Sequence, residues 1–169
     1  LTLKPEITAP GGNIYSIWGT NAVSGGGYNK YETMSGTSMA APQVAGMAAV
    51  MAQYVRENGL AEKTGVDARA LAQSLLMSTA EPMLESTSGS YYPVIQQGSG
   101  LANVVKAVTT PVYMTVEGMD DGVVKAELGD DPDRVGVYTF AYSLHNLTDA
   151  AVSYQMEADL FTQAVFFDG

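Results

Sequence analysis

The 169-residue chain contains no cysteine. No disulfide can staple it and no thiolate can hold zinc. That absence fits a reducing or an oxidising compartment alike. Basic side chains are scarce, with eight Lys and Arg against 18 Asp and Glu and a formal net charge of −10. A nucleic-acid surface needs clustered cations, so nucleic acid is excluded as a partner. No apolar run reaches the ~20 residues of a membrane-spanning helix. The longest, VAGMAAVMAQYV at 44–55, is interrupted by Gln53 and closed by Arg56. The opening LTLKPEITAPGG has no basic start followed by an apolar core, so no signal peptide is read there. It has no initiator Met, and TQAVFFDG at the far end stops within a strand-like run. The chain is expected to be an excised stretch of a longer protein. Histidine occurs once, at His145, which matters for any chemistry that needs a base.

What is present suffices for a core. Hydrophobic residues make up 46% of the chain, which argues against disorder. The acidic excess reads as a solubilising surface. Two compositions meet near VTTPVY, where Pro111 is a breaker. Residues 1–110 mix short apolar runs with helical patterns, and residues 111–169 read mostly as strands.

In the first part, EITAPG reads as a short strand running into a Pro-Gly turn, and NIYSIW alternates like a second strand. Residues 19–36 form a glycine-rich loop. A long helix then covers 38–55, with Thr37 or Ser38 as cap and Pro42 in its opening turn. Val44, Ala45, Ala48, Met51, Ala52 and Val55 recur at helical spacing. Its many small residues predict a thin helix lying inside the domain. Gly59 stops it. A second helix starts at an Asp67 cap, carries Leu71, Leu75 and Leu76, and ends before Pro82. After the ESTSGSYY loop, a third, short helix follows QQGSG, with Leu101, Val104, Val105 and Val108 on one side. The second part has strand-like runs at 112–117, 123–128, 136–144, 151–156 and 164–167, spaced as in a small antiparallel sandwich that is incomplete.

The stretch GTSMAAPQVAG, residues 36–46, carries the chemistry. Ser38 stands at a helix start, where first-turn N–H groups lack intrahelical acceptors and the dipole is positive. Such donors suit an oxyanion. Gly36, with no side chain, lets a substrate backbone come close. A serine hydroxyl also needs an oriented base. The plain alternative is that Thr37 and Ser38 only cap a core helix.

Eleven consecutive residues decide between the two. GTSMAAPQVAG resembles the catalytic-serine motif of the subtilisin-like serine proteases, the subtilases. KPEITAPGGNIYS resembles the family's strand and turn before the serine loop. LAQSLLMSTAEP resembles the helix after it, and QQGSGLANVVKAV the glycine turn and helix that close the catalytic domain. The segment VYTFAYSLHNLTDAAVSYQ is similar to the fibronectin-III-like domain of lactocepin-type cell-envelope proteinases. The resemblance implies an α/β fold. Residues 1–110 would be the C-terminal portion of a subtilase parallel-sheet domain, and residues 111–169 an incomplete antiparallel β-sandwich.

It further implies that Ser38 is the nucleophile and its own N–H an oxyanion donor. Met34, Ser35, Gly36, Thr37 and Met39 would border the substrate. Many family members carry histidine where Gln43 stands, a position that is not the base. The family's order places the catalytic Asp, the His and an oxyanion Asn upstream of residue 1. Residues 1–169 alone are therefore expected to be inactive and to self-associate, with a protein or peptide as substrate of the full-length enzyme. No metal or cofactor is implied, and a secreted or cell-surface location is. The competing function is a non-catalytic binding or spacer module from a degenerate protease.

Other candidates are plainer. His145 reads as a strand-end histidine beside a turn, and Lys30 in the glycine-rich loop is a weaker base still. DDPD at 130–133 and MDD at 119–121 lack calcium-loop spacing and read as solvated turns. NLT at 146–148 matches a glycosylation acceptor, and Tyr91 and Tyr92 are core edge or cleft rim. Oxidation of Met39 would crowd the oxyanion site if it is accessible.

Overall fold

The computed structural model describes residues 3–18 and 31–159. Its centre is a helix, α3 (Ala68–Ser78), in which Ala70, Leu71, Ala72, Ser74, Leu75, Leu76 and Met77 are all buried. Asp67 starts it as expected. Its carboxylate accepts from the Arg69 and Ala70 amides at 2.9 and 3.2 Å, which satisfies two orphan donors of the first turn. Around α3 pack α1 (Thr37–Glu57), the one-turn α2 (Leu60–Thr64), α5 (Val104–Thr109) and the strand β3 (Val112–Val116). The core joins Met51 and Val55 of α1, Leu71 and Leu75 of α3, Ala107 of α5, and Tyr113 and Leu147 from beyond Pro111.

The long helix departs from expectation. It does not lie inside the described structure. Only Met51 and Val55, one turn apart, are buried, and Ala41, Ala45, Ala48, Ala49 and Ala52 are exposed. Periodicity marks which face can be buried, not whether anything lies over it. Nor do Thr37 and Ser38 cap the helix. The cap is Gly36, and no side chain contributes. Pro42 is the sixth helical residue rather than part of the opening turn. The helix ends at Glu57 and the chain turns away through left-handed Gly59, close to where the sequence placed the stop.

The third helix is shifted too. Asn103 caps α5, its side chain accepting from the Lys106 amide at 3.1 Å. Val104, Ala107 and Val108 face the core, whereas Val105 is 66% exposed. Leu101 lies before the helix and joins two chain segments. It exchanges backbone bonds with Glu81, and its neighbour Ala102 donates to Thr8. A one-turn helix α4 (Val94–Gln97) precedes it.

Two antiparallel pairs are formed. In the first, β1 (Ile14–Ile17) aligns Ile14 with Met34 and Ile17 with Tyr31 of β2 (Tyr31–Met34). Tyr15 and Tyr31 stack at 5.5 Å. β2 falls where a loop was expected; residues 19–30 of that loop lie outside the described residues. In the second, β3 pairs with β4 (Tyr142–Asn146), setting Met114 opposite Leu144. Parallel pairing is limited, among the described residues, to the Thr8–Leu101 bridge. Of the other expected strands, 123–128, 136–141 and 151–156 are not strands, and 164–167 lies outside the described residues. Backbone groups of a strand must find a partner strand, and alternation of residue type does not supply one.

Residues beyond Pro111 are fastened to the first part. Met114 is held by two α3 serines, Ser74 and Ser78. Arg69 pairs with Asp121 at 2.5 Å. Lys125, whose side chain is only 15% exposed, bridges Glu6 and Glu127 and also donates to the Leu3 carbonyl.

Candidate active site

Ser38 is the second residue of α1 and is exposed. The 21-residue helix has no acidic side chain in its first turn, so no carboxylate of that turn offsets the positive end of its dipole at Ser38. The Gly36 carbonyl accepts from the Met39 and Ala40 amides at 3.0 and 3.3 Å. Gly36 itself has φ 156 and ψ 167, a backbone region essentially restricted to glycine. The chain therefore enters the helix by a turn that a side chain at 36 would strain.

A second segment, residues 10–13, runs along this turn and ties to both sides of Ser38. The Gly36 amide donates to the Gly11 carbonyl at 2.7 Å. The Asn13 amide donates to Ser35 Oγ at 2.8 Å. The Gln43 side-chain amide donates to the Pro10 carbonyl at 2.5 Å and also reaches the Met39 carbonyl at 3.4 Å. Contact is close enough that a Cβ on Gly11 would stand 2.7 Å from the Gly36 oxygen and 3.2 Å from Ala40 Cβ. Glycine is thus required at 11 for proximity.

The residues expected to border the substrate are brought together around this start. Met34 ends β2 and is 39% exposed. Ser35, Gly36 and Thr37 are exposed, and Met39 is partly buried on the first helical turn. Sequence reasoning missed Pro10, Gly11, Asn13 and the role of Gln43. The APGG turn was visible in the sequence, but it takes part through its own backbone atoms, and its partners lie more than twenty residues away.

Among the described residues no base accompanies the serine, and Ser38 Oγ has no hydrogen-bond partner. His145 is engaged elsewhere. It stands in β4 opposite Tyr113, stacks on that ring at 4.6 Å, and shares a 2.7 Å hydrogen bond with Thr115 Oγ1. Lys30 lies outside the described residues. Perturbed carboxyls belong to structural contacts. Glu81 is held below the ordinary carboxylate range by Lys106 and then Asn103. Glu85 is lowered to about 2 by the Thr87 and Ser88 amides. The Asp131 carboxylate accepts from the Val135 and Gly136 amides, which makes DDPD a self-satisfied turn. A hollow of about 550 Å³ is lined by residues such as Glu117, Leu128, Tyr138 and Phe140, none of them near Ser38 in sequence. No helix among the described residues is long and apolar enough to cross a membrane.

Comparison with known proteins places this arrangement. The chain is 32% identical over 164 residues to the C5a peptidase of Streptococcus pyogenes, covering 96% of the chain and 13% of that protein. It is 31% identical over 182 residues to the PII-type and PI-type proteinases of Lactococcus lactis subsp. cremoris, covering 98% of the chain and 9% of each. The chain thus spans a small share of the relatives it matches. The subtilase family model matches residues 1–123, from the segment beside the serine turn through α5 and β3, and the chain belongs to the subtilase family.

Proposed function

We propose that this chain is the nucleophile-bearing part of a serine endopeptidase. In the full-length protein, Ser38 attacks a peptide carbonyl and forms an acyl-enzyme that water then hydrolyses. The observation that carries this reading is the exposed Ser38 hydroxyl, without a hydrogen-bond partner among the described residues, on a helix start with no acidic side chain, within GTSMAAPQVAG. The Ser38 amide serves as one oxyanion donor, and Met34, Ser35, Gly36, Thr37 and Met39 border the scissile bond. The catalytic Asp and His and the side-chain oxyanion donor lie upstream of residue 1. Relatives many times longer than this chain leave room for them.

The same reading assigns residues 1–110 to the C-terminal part of a subtilase domain whose parallel sheet includes the Thr8 segment. It assigns residues 111–169 to a fibronectin-III-like sandwich begun by β3 and β4. The seam at Pro111 is then a change of architecture rather than a gap in packing, since Tyr113 and Leu147 share the core of the first part. The substrate is a protein or peptide and the location extracellular or at the cell surface, in keeping with the peptidase and proteinase names of the relatives.

The test is a serine-directed phosphonate on full-length protein, with the adduct located by mass spectrometry. Labelling of Ser38 with loss of activity is expected. Ser38→Ala should lower kcat by about 10⁶, the loss that removal of the nucleophile causes in subtilisin. An active preparation without an adduct on Ser38 refutes the assignment. Full-length protein that neither hydrolyses peptides nor takes up the phosphonate favours a binding module instead.

A further inference from the structure

We infer that Gln43 is a positioning residue for Ser38, locking the first turn of α1 against residues 10–13. The inference rests on the reading of Ser38 as nucleophile. Of the three ties between this segment and the serine turn, those to Ser35 and Gly36 lie before Ser38. The Gln43–Pro10 bond is the one that lies after it, on the helix itself. The turn is therefore pinned on both sides of the serine, and among the described residues Gln43 supplies the tie on the helix side.

The orientation of the Gln43 amide is set by its neighbours. Both atoms it faces, the Pro10 and Met39 oxygens, are carbonyls that only accept, so the NH₂ must point at them. The helix needs this outside tie because its own hold on Ser38 is weakened. Pro42 stands four residues after Ser38 and has no N–H, so the Ser38 carbonyl lacks the usual i+4 helical hydrogen bond. A first turn short of one internal bond can tilt unless something external fixes it. Gln43, next to the proline, donates to the fixed segment instead.

Without Gln43 the hydroxyl stays present but loses its place. Misplacement of a reacting group by about 1 Å costs about 10²-fold in rate. The measurement is kcat and KM of full-length protein on a peptide substrate, with the rate of phosphonate labelling at Ser38. Gln43→Ala should lower kcat and labelling about 10–100-fold while KM changes little. Gln43→His should restore most of the loss, because a ring N–H can donate to Pro10. Gln43→Glu should place a carboxylate against a carbonyl oxygen and lose activity at neutral pH. Its kcat relative to parent should rise as pH falls toward the carboxyl range near ~4.3, where the protonated group donates again. A space-filling role would leave that ratio flat. If Gln43→Ala fails to fold, the pH ratio of Gln43→Glu decides. Parental kcat in Gln43→Ala, or a flat ratio in Gln43→Glu, overturns the inference while Ser38 labelling of the parent stands. An active parent unlabelled at Ser38 overturns the nucleophile assignment itself.

Discussion

Replacing Ser74 by alanine should loosen β3 from the helix it rests on. Ser74 and Ser78 stand one helical turn apart on α3. Ser74 Oγ donates to the Met114 carbonyl at 2.5 Å, and the Met114 amide donates to Ser78 Oγ at 2.9 Å. Both backbone groups of Met114 therefore face α3, not β4, and the two hydroxyls stand where a neighbouring strand would pair. Ser74 is 1% exposed, so water cannot replace its hydroxyl without opening the interface. Leaving a buried acceptor unpaired costs about 1–3 kcal/mol. Met114 is only partly buried, which sets the expectation at the lower end, about 1–2 kcal/mol, or a factor of about 5–30 in the opening equilibrium.

Amide hydrogen exchange of Val112–Val116 in the full-length protein measures that factor directly. In Ser74→Ala the protected amides of β3 should exchange faster together. In Ser78→Ala the Met114 amide loses its own acceptor and should respond most. The double variant should fall short of the sum, since both substitutions act on one residue. Exchange in Ser74→Ala within about twofold of parent, against the ~5-fold minimum from the hydrogen-bond cost, would show that β3 is held by packing alone.

Three further outcomes are expected. Residues 1–169 alone should show no peptidase activity on a broad peptide library and should self-associate through the exposed apolar length of α1. Hydrolysis that vanishes with Ser38→Ala, or a monodisperse monomer in sedimentation, refutes one or the other half. His145→Ala should lose the Thr115 bond and the Tyr113 stack, destabilising the β3–β4 pair by about 1 kcal/mol with peptidase activity of the folded full-length variant unchanged. The Glu85 carboxylate, ordered by the Thr87 and Ser88 amides, should titrate near 2 rather than 4.5. A carboxyl lowered in the folded state supports the 85–90 turn above its ordinary range, and that support fades as pH falls from 4.5 toward 2. An NMR midpoint for the Thr87 and Ser88 amides near 4.5 contradicts the bonds.

Local signals were legible where a residue type does a local job. Asp67 as a cap, the α3 stripe of Leu71, Leu75 and Leu76, and the strand from Val112 are written in single turns of sequence. Ser38 at a helix start was legible for the same reason. β2 was not, because glycine-rich composition hid Tyr31–Met34 and its partner at Ile14–Ile17 lies beyond the loop. The exposure of α1 was not, because small apolar residues describe a helix that can be covered. The runs at 123–128 and 136–141 carry the alternation of strands, and only a partner turns alternation into a ladder.

The serine turn owes its placement less to the burial of α1 than to a path of backbone bonds leading into the core. Gly36 is tied to Gly11, and two residues before Gly11 the chain passes through Ala9, which is 6% exposed. Thr8 bonds the Gly100 carbonyl, accepts from Ala102 and donates its hydroxyl to the Gln97 carbonyl. Gln97, 1% exposed, spends its side chain on the Met83 amide and the Tyr92 carbonyl. The loop at 98–102 is joined through Leu101 to Glu81, just past the end of α3. Residues 10–13 are thus rooted in the packed centre although they and Ser38 lie at the surface. Such an arrangement would meet two demands on Ser38 as the proposed nucleophile. The hydroxyl must be open to a large substrate, and its position must be fixed before the substrate arrives. A helix with its N-terminal half exposed meets the first, and a strap of backbone carbonyls tied to a buried glutamine meets the second.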